Sequence, residues 1–197
     1  LWQEPRSEIR KLKQLCIIRA RVKRILIQLE VPAKEGSLFH IGKEPYQIIK
    51  LCTGSLTALK QDYKIISSAI EELINSDCHL RQLMGIITSV PGIGKLIAVE
   101  LIIVTNEFKN FSSANKLASY CGVVPFEYSS GTTLKGKPHV SKIANIRMKS
   151  LLHMAAIASL RTQGDMSDYY KRKVAEGKHK MSVLNAIKNK LLQRVFV

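Results

Sequence analysis

Two long stretches near the start of the chain repeat apolar residues at alternating intervals of three and four. In residues 6–30 the repeated positions are Leu15, Ile18, Val22, Ile25 and Leu29. In residues 46–77 they are Leu56, Leu59, Tyr63, Ile66, Ile70 and Leu73. This spacing is typical of a coiled-coil seam. Because Val31-Pro32 and Gly36 disfavour helix, we expect the first helix to end there. The two stretches then form a hairpin within the chain or a bundle with another subunit.

Shorter apolar segments follow, separated by glycine, proline and serine. They predict a short helix around residues 83–87, a helix over 95–104, and one ending at Tyr120 with Ser112 or Ser113 as its N-cap. Turn residues in 122–140 suit a short hairpin, and helices are expected over 141–162, 166–175 and 182–197. In the helix over 141–162 the residues expected to point inward are Ile143, Met148, Leu151, Leu152 and Ala155. The predicted fold is mainly α-helical, with a coiled-coil hairpin in residues 1–80 and a helical domain in 81–197.

The charge of the chain is strongly positive, with a formal net charge of +16 and a pI near 9.9. The stretch from Tyr128 to Gly164 contains lysine and arginine but no aspartate or glutamate. A polyanion could follow this stretch without meeting a like charge. The excess of cations favours a binder of nucleic-acid phosphates over an ordinary well-solvated basic protein.

Cysteine usage and hydropathy point to a cytoplasmic protein. The four cysteines are far apart and form no C-x-x-C pair, which is typical of reduced thiols rather than of disulfides or a zinc site. The longest apolar stretch is interrupted by Pro91, Lys95 and Glu100, so we expect no membrane span. The chain begins at Leu1 rather than Met, and we therefore expect it to be the later part of a longer protein.

The segment Val90-Pro91-Gly92-Ile93-Gly94 resembles the turn of a helix-hairpin-helix motif. Its glycines allow a sharp turn and close approach of a partner, and the following helix N-terminus offers free N–H groups to a phosphate. Lys95 adds a full positive charge there. We expect Gly92, Gly94 and Lys95 to contact a DNA backbone, while an ordinary interhelical turn is the alternative.

A Ser-Ser-Gly turn forms the second candidate site. Ser129 and Ser130 carry hydroxyls that become nucleophilic only with a base or a strong positive field. His139 and His153 are candidates for the base, although serines in turns more often bond the backbone. The cations that could supply the field are Lys135, Lys137, Lys142, Arg147 and Lys149.

The order of motifs resembles one family, the "IS one-ten" insertion-sequence transposases, which are related to the Piv/MooV DNA invertases. The resemblance runs from about Met84 to Val197, and residues 6–80 resemble the coiled coil that precedes this domain. The motifs, in order, are Val90-Pro91-Gly92-Ile93-Gly94, Phe111-x-Ser113-x-x-Lys116-Leu117-Ala118-x-Tyr120-x-Gly122-Val123-x-Pro125, Ser129-Ser130-Gly131, Ser141-Lys142-x-x-Asn145, Leu151 and Ala155-Ala156.

The resemblance implies that Ser130, with Ser129 as the fallback, is a nucleophile that joins covalently to DNA. It also implies that Asn145 lies near nucleic acid, that a structured RNA guides the protein, and that subunits act as a homodimer or tetramer. The family's RuvC-like domain holds a divalent metal such as Mg²⁺ on four acidic residues. No such quartet is evident in this sequence, so we expect no metal site here. Ala144 and Lys149 replace the family's usual Gly and Arg, and Lys lacks arginine's bidentate fork.

Three hypotheses follow. The chain is the serine-bearing part of a DNA transposase or recombinase, a non-enzymatic helix-hairpin-helix module that binds DNA or RNA, or an assembly element built on the coiled coil. We favour the first for the parent protein. For the chain alone, we expect binding and assembly without completed strand transfer.

Overall fold

The computed structural model describes residues 3–38, 52–130, 134–140 and 143–196, with the side chains of 32–38, 127–130 and 134–139 outside that description. Helices dominate the described residues, which confirms the predicted fold class, and one antiparallel strand pair accompanies them. The elements are α1 (Ser7–Leu38), α2 (Thr53–Ser76), α3 (Cys78–Thr88), α4 (Lys95–Thr105), α5 (Ala114–Tyr120), β1 (Pro125–Ser130), β2 (Leu134–Val140), α6 (Ile146–Arg161), α7 (Asp165–Ala175) and α8 (Lys180–Val195).

Residues Pro5–Cys78 form one compact unit in which α1 packs against α2. Side-chain contacts join residues along this pair of helices. They include Arg6–Asp77 at 3.0 Å, Lys23 Nζ at 5.6 Å from the centroid of the Tyr63 ring, and Lys60–Glu30 at 2.8 Å. Residues later in the α1 helix contact residues earlier in the α2 helix, so the two helices run antiparallel.

Part of the seam expected on α1 is not buried within this unit. Of its members, Ile18 is 46% exposed and Ile25 is 43% exposed. A helix turns about 100° per residue, so in a helix with many apolar residues two neighbouring stripes can both show the three-four spacing. The buried residues of α1 are instead Ile9, Leu12, Cys16 and Leu26.

The expected end of α1 at Val31-Pro32 is also wrong, since the helix continues to Leu38. Proline removes one helical N–H and clashes with the carbonyl four residues earlier, which disfavours a helix without excluding it. The residues after it, Ala33, Lys34 and Glu35, have high helix propensity and extend the helix. The predicted start of α2 at residues 46–51 lies outside the described residues.

Residues 79–197, together with the first four, form the second unit. Its core is built from α4, α5, α6 and α8, with α6 lying against α8. The apolar side chains that are completely buried there include Leu101, Ile102, Leu117, Met148, Leu152, Ile187 and Leu191. None of the helices in the described ranges combines the length and apolar character needed to cross a bilayer.

Capping side chains set the starts of α5, α6 and α8. Ser113 Oγ accepts from Lys116 N–H at 3.4 Å and begins α5, as predicted. Asn145 Oδ1 accepts from Met148 N–H at 3.0 Å, so α6 begins at Ile146 rather than at 141. Ile143, expected to point inward, therefore precedes the helix and is 98% exposed. His179 caps α8, which begins two residues earlier than expected.

Candidate nucleic-acid interface

The positive charge is concentrated in the second unit. Residues 79–197 contain 18 Lys and Arg against six Asp and Glu, whereas residues 1–78 contain 13 against nine. The packed helices α6 and α8 carry no acidic residue at all. This unit therefore offers the stronger electrostatic attraction for a phosphate backbone.

A β-hairpin carries the Ser-Ser-Gly sequence. In its antiparallel register Ser129 pairs with Lys135 and Ser130 pairs with Leu134, with an irregularity between Phe126 and Tyr128. The backbone thus brings Ser129 beside a lysine of the partner strand. Residues 131–133, Lys142 and the side chains of Ser129, Ser130, Lys135, Lys137 and His139 lie outside the described residues.

Asn145 joins the segments that flank this hairpin in the sequence. Its backbone N–H donates to the Tyr120 carbonyl at 3.0 Å, and its Nδ2 donates to the Tyr120 hydroxyl at 3.1 Å. Next to it, Ala144 packs so closely on Gly122 that a Cβ at Gly122 would collide with the Ala144 methyl. The side chain expected to lie near nucleic acid is thus engaged in holding the hairpin's base.

Arg147, another residue expected to contact DNA, is bound within the protein. Its Nη2 lies 2.9 Å from Glu100 Oε2 on α4, and the Glu100 side chain is only 13% exposed. The guanidinium is still 48% exposed, so it faces solvent while its charge is balanced. Lys149, one turn into α6, has no resolved ion pair with a described carboxylate.

The two glycines of the turn between α3 and α4 lie in different environments. Gly92 has φ +93°, and a Cβ there would lie 2.5 Å from the Ala155 carbonyl oxygen and 2.8 Å from Ser159 Cβ. The close approach that needs glycine at this position is therefore made to α6 of the same chain. Ile93 is buried beside it.

Gly94 lies on the open side of the same turn. A Cβ on Gly94 would meet nothing within 4 Å, and the residue begins α4 without a side-chain cap. Lys95, the first residue of α4, is exposed beside it. Gly94 and Lys95 are therefore accessible to a phosphate, whereas Gly92 is turned toward the protein.

A buried lysine on α8 was missed by the sequence analysis. Lys188 is 5% exposed, and desolvation together with the nearby charge of Lys149 lowers its pKa. The sequence contained a signal for this burial, because Leu184, Ile187 and Leu191 define an inward stripe that includes position 188.

Other reactive groups of this unit are poorly placed for catalysis. Cys121 is fully buried just before β1, and desolvation raises the pKa of its thiol to about 12, so the thiolate nucleophile is scarce at neutral pH. His153 is half-buried on α6. Within the described residues, no three His, Cys, Asp or Glu side chains are grouped so that they could hold a metal ion.

Comparison with known proteins matches the part of the chain that contains these features. Residues 84–171 match the model of the family described as "Transposase IS116/IS110/IS902 family". The pilin gene-inverting protein of Moraxella lacunata is 29% identical over 193 residues, covering 98% of this chain and 58% of that protein. The insertion element IS110 uncharacterized 43.6 kDa protein of Streptomyces coelicolor is 29% identical over 73% of this chain and 35% of its own length.

A third relative is the insertion element IS900 uncharacterized 42 kDa protein of Mycobacterium paratuberculosis. It is 32% identical over 136 residues, which are 68% of this chain and 33% of that protein. The chain thus spans between one third and three fifths of the length of these three relatives. The residues that match the IS116/IS110/IS902 transposase family include the α3–α4 turn, the serine hairpin and α6, and this part of the chain is similar to that family.

Proposed function

We propose that this chain is the serine-bearing part of a DNA transposase or recombinase, with Ser130 as the nucleophile and Ser129 as the fallback. The observation that carries the proposal is the hairpin. Its strands pair the serine segment with the lysine-bearing segment, within a match to a transposase family. The surrounding helices α6 and α8 lack acidic residues and so favour a phosphate backbone.

In the proposed step, the serine Oγ attacks a DNA phosphorus and forms an Oγ–P bond. The bond between phosphorus and one sugar oxygen breaks, the serine proton passes to a base, and the departing oxygen takes up a proton. Lysine charges along β2 stabilise the negative charge that develops on the phosphoryl oxygens. His139, which pairs in register with Phe126 on β1, is the candidate base from this hairpin.

The remaining parts of the reaction are assigned to the parent protein. The family resemblance implies a divalent metal such as Mg²⁺ on an acidic domain, and no cluster among the residues described here fits that ion. We therefore assign no step of this chain to a metal. A structured guide RNA is proposed as a second partner, bound through the same cationic unit.

Binding and assembly are the activities proposed for the chain by itself. Gly94 and Lys95 contact a DNA backbone in the manner of a helix-hairpin-helix, supported by their exposure at the start of α4. Self-association into a homodimer or tetramer is supported by exposed isoleucines of α1, which include Ile18 and Ile25. Light scattering of the chain tests this association, and a monomer at high concentration would contradict it.

The decisive experiment replaces the two serines separately in the full-length protein. Ser130→Ala is expected to abolish recombination while leaving DNA affinity unchanged, because the hydroxyl supplies the reaction and not the charge. Ser150→Ala, which removes an exposed hydroxyl from α6, serves as the matched control and should recombine normally.

Normal recombination by Ser130→Ala would transfer the role to Ser129. If Ser129→Ala also recombined normally, the enzymatic proposal would be wrong and the non-enzymatic binding module would remain. That module predicts affinity that falls steeply with salt and is indifferent to DNA sequence.

A further inference from the structure

The first helix of the chain contains a long run with cations and no acids. Residues 9–29 of α1 hold seven Lys and Arg and no Asp or Glu, although residues 1–78 as a whole have 13 against nine. The helix α2, against which α1 packs, mixes both signs, with two lysines against one aspartate and two glutamates. The first unit therefore concentrates its cations on one of its two helices.

Part of this run lines one exposed face of α1, which we call the basic face. Its members are separated by four, four, three and four positions, a spacing that places residues on the same side of a helix. They are Lys13, Ile17, Arg21, Arg24 and Gln28. All five are exposed, including Ile17 at 39%. At 1.5 Å per residue the basic face extends for about 22 Å.

The basic face lies apart from the side of α1 that packs within the unit. That side includes Leu12, Cys16 and Leu26, each at most 4% exposed. A helix rotates about 100° per residue, so the two sides are centred about a third of a turn apart. The apolar residues that a basic helix would insert into a bilayer are thus largely packed against protein, and the basic face itself contributes only Ile17.

Repulsion along α1 gives the basic face a reason to bind an anion. A run of like charges is ordinarily a solvated face, but like charges three or four residues apart destabilise a helix. Arg21 and Arg24 are three residues apart on the basic face. No acidic residue stands three or four positions along the helix from Lys13, Arg21 or Arg24. A bound polyanion relieves this repulsion.

We propose that the basic face of α1 binds the phosphate backbone of duplex DNA, as a contact separate from the serine hairpin and the α3–α4 turn. The inference rests on the proposed function, which supplies double-stranded DNA as the polyanion. Such a duplex carries one negative charge per about 1.7 Å of its axis, so phosphates are available along the whole basic face. Arg21 and Arg24 suit them, because a guanidinium forms paired hydrogen bonds with phosphate oxygens.

Contacts of this kind hold DNA without reading it. The phosphates are the same in every sequence, so the basic face adds affinity and salt dependence and no sequence preference. Its role is to position a duplex on the first unit while the second unit carries the proposed chemistry.

The test measures the affinity of the whole chain for a short labelled duplex DNA at several salt concentrations. The double variant Arg21→Gln, Arg24→Gln is compared with Lys11→Gln, Lys64→Gln, which removes the same charge from exposed positions outside the basic face. The arginine pair should lower the slope of log affinity against log salt by about two phosphate contacts, or ~1.8. The lysine pair should lower it by less than one contact.

A gain of binding provides a second test that removes no native contact of a cation. Gln28→Lys extends the basic face and should steepen the salt dependence by about one contact. Gln61→Lys adds the same charge at an exposed position of α2 and is the matched control. Each variant is also checked by light scattering, because the exposed Ile18 and Ile25 are proposed to mediate self-association and a changed oligomeric state would alter the affinity.

Equal slopes for the arginine and lysine pairs, or equal gains from Gln28→Lys and Gln61→Lys, would overturn this inference and leave the proposed function intact. A larger effect of the arginine pair on binding to an RNA hairpin or to anionic lipid vesicles than on binding to DNA would overturn the assignment to DNA. Failure of the unsubstituted chain to bind duplex DNA at low salt would count against the proposed function as well.

Discussion

Asn145 bonds Tyr120 twice, through its backbone N–H to the Tyr120 carbonyl and through its side-chain amide to the Tyr120 hydroxyl. The same side chain caps α6. One residue therefore joins the end of α5 to the start of α6, the two helices between which the serine hairpin lies in the sequence. A requirement for asparagine at this position follows from the fold alone, because it uses both a donor and an acceptor.

Replacing Asn145 tests this arrangement. Asn145→Ala should destabilise the start of α6 by about 1–2 kcal/mol, since it removes the cap and a side-chain hydrogen bond. The Met148 amide should then exchange with solvent roughly 5- to 30-fold faster, as measured by NMR. Asn145→Asp keeps the cap acceptor and should preserve the protection of Met148. Unchanged exchange in Asn145→Ala would show that the cap contributes nothing.

The two glycines of the α3–α4 turn should respond differently to alanine. Gly92→Ala should cost at least about 2 kcal/mol in thermal unfolding, because φ is +93° and the new methyl meets α6. Gly94→Ala has φ −90° and open space, so it should cost less, at most about 1 kcal/mol, because the helix N-cap prefers glycine to alanine. If DNA approaches Gly94, the main effect of Gly94→Ala should be a lower affinity for DNA. Equal melting temperatures for the two variants would contradict this interpretation.

Glu100 restrains a cation that faces solvent. Glu100→Gln should tighten DNA binding and steepen its salt dependence, because Arg147 becomes available to a phosphate. The stability cost should stay within about 1 kcal/mol, since the guanidinium is half exposed. Glu176→Gln releases Lys173 elsewhere on the surface and is the control for net charge. A loss of affinity in Glu100→Gln would mean that the ion pair, and not free Arg147, is the binding form.

Local patterns predicted most helices of the second unit. The clearest cases are α4, α5 and α7, whose boundaries agree with the sequence to within a residue or two. Ser112 and Ser113 were both predicted as caps of α5, and the structure has Ser113 in that role. Asn145 was not recognised as one, since the residues before it, Ile143 and Ala144, read equally well as helix.

Tertiary contacts account for what the sequence did not reveal. The stripe of α1 that becomes buried depends on which neighbour covers it, and periodicity alone does not contain that information. The orientation of Gly92 toward α6 likewise depends on Ala155 and Ser159, more than 60 residues away in sequence. The burial of Lys188 also depends on the elements that pack against α8, which its own segment does not identify.

The absence of acidic residues from α6 and α8 has a practical consequence for handling the protein. Added salt shortens the Debye length to about 10 Å at 0.1 M, which relieves the mutual repulsion of these helices and weakens their attraction for phosphates. Folding is therefore favoured by higher ionic strength, and nucleic-acid binding by lower ionic strength. Protein purified in dilute buffer is expected to retain cellular nucleic acid. Protein washed with concentrated salt is expected to be free of nucleic acid and more heat-stable.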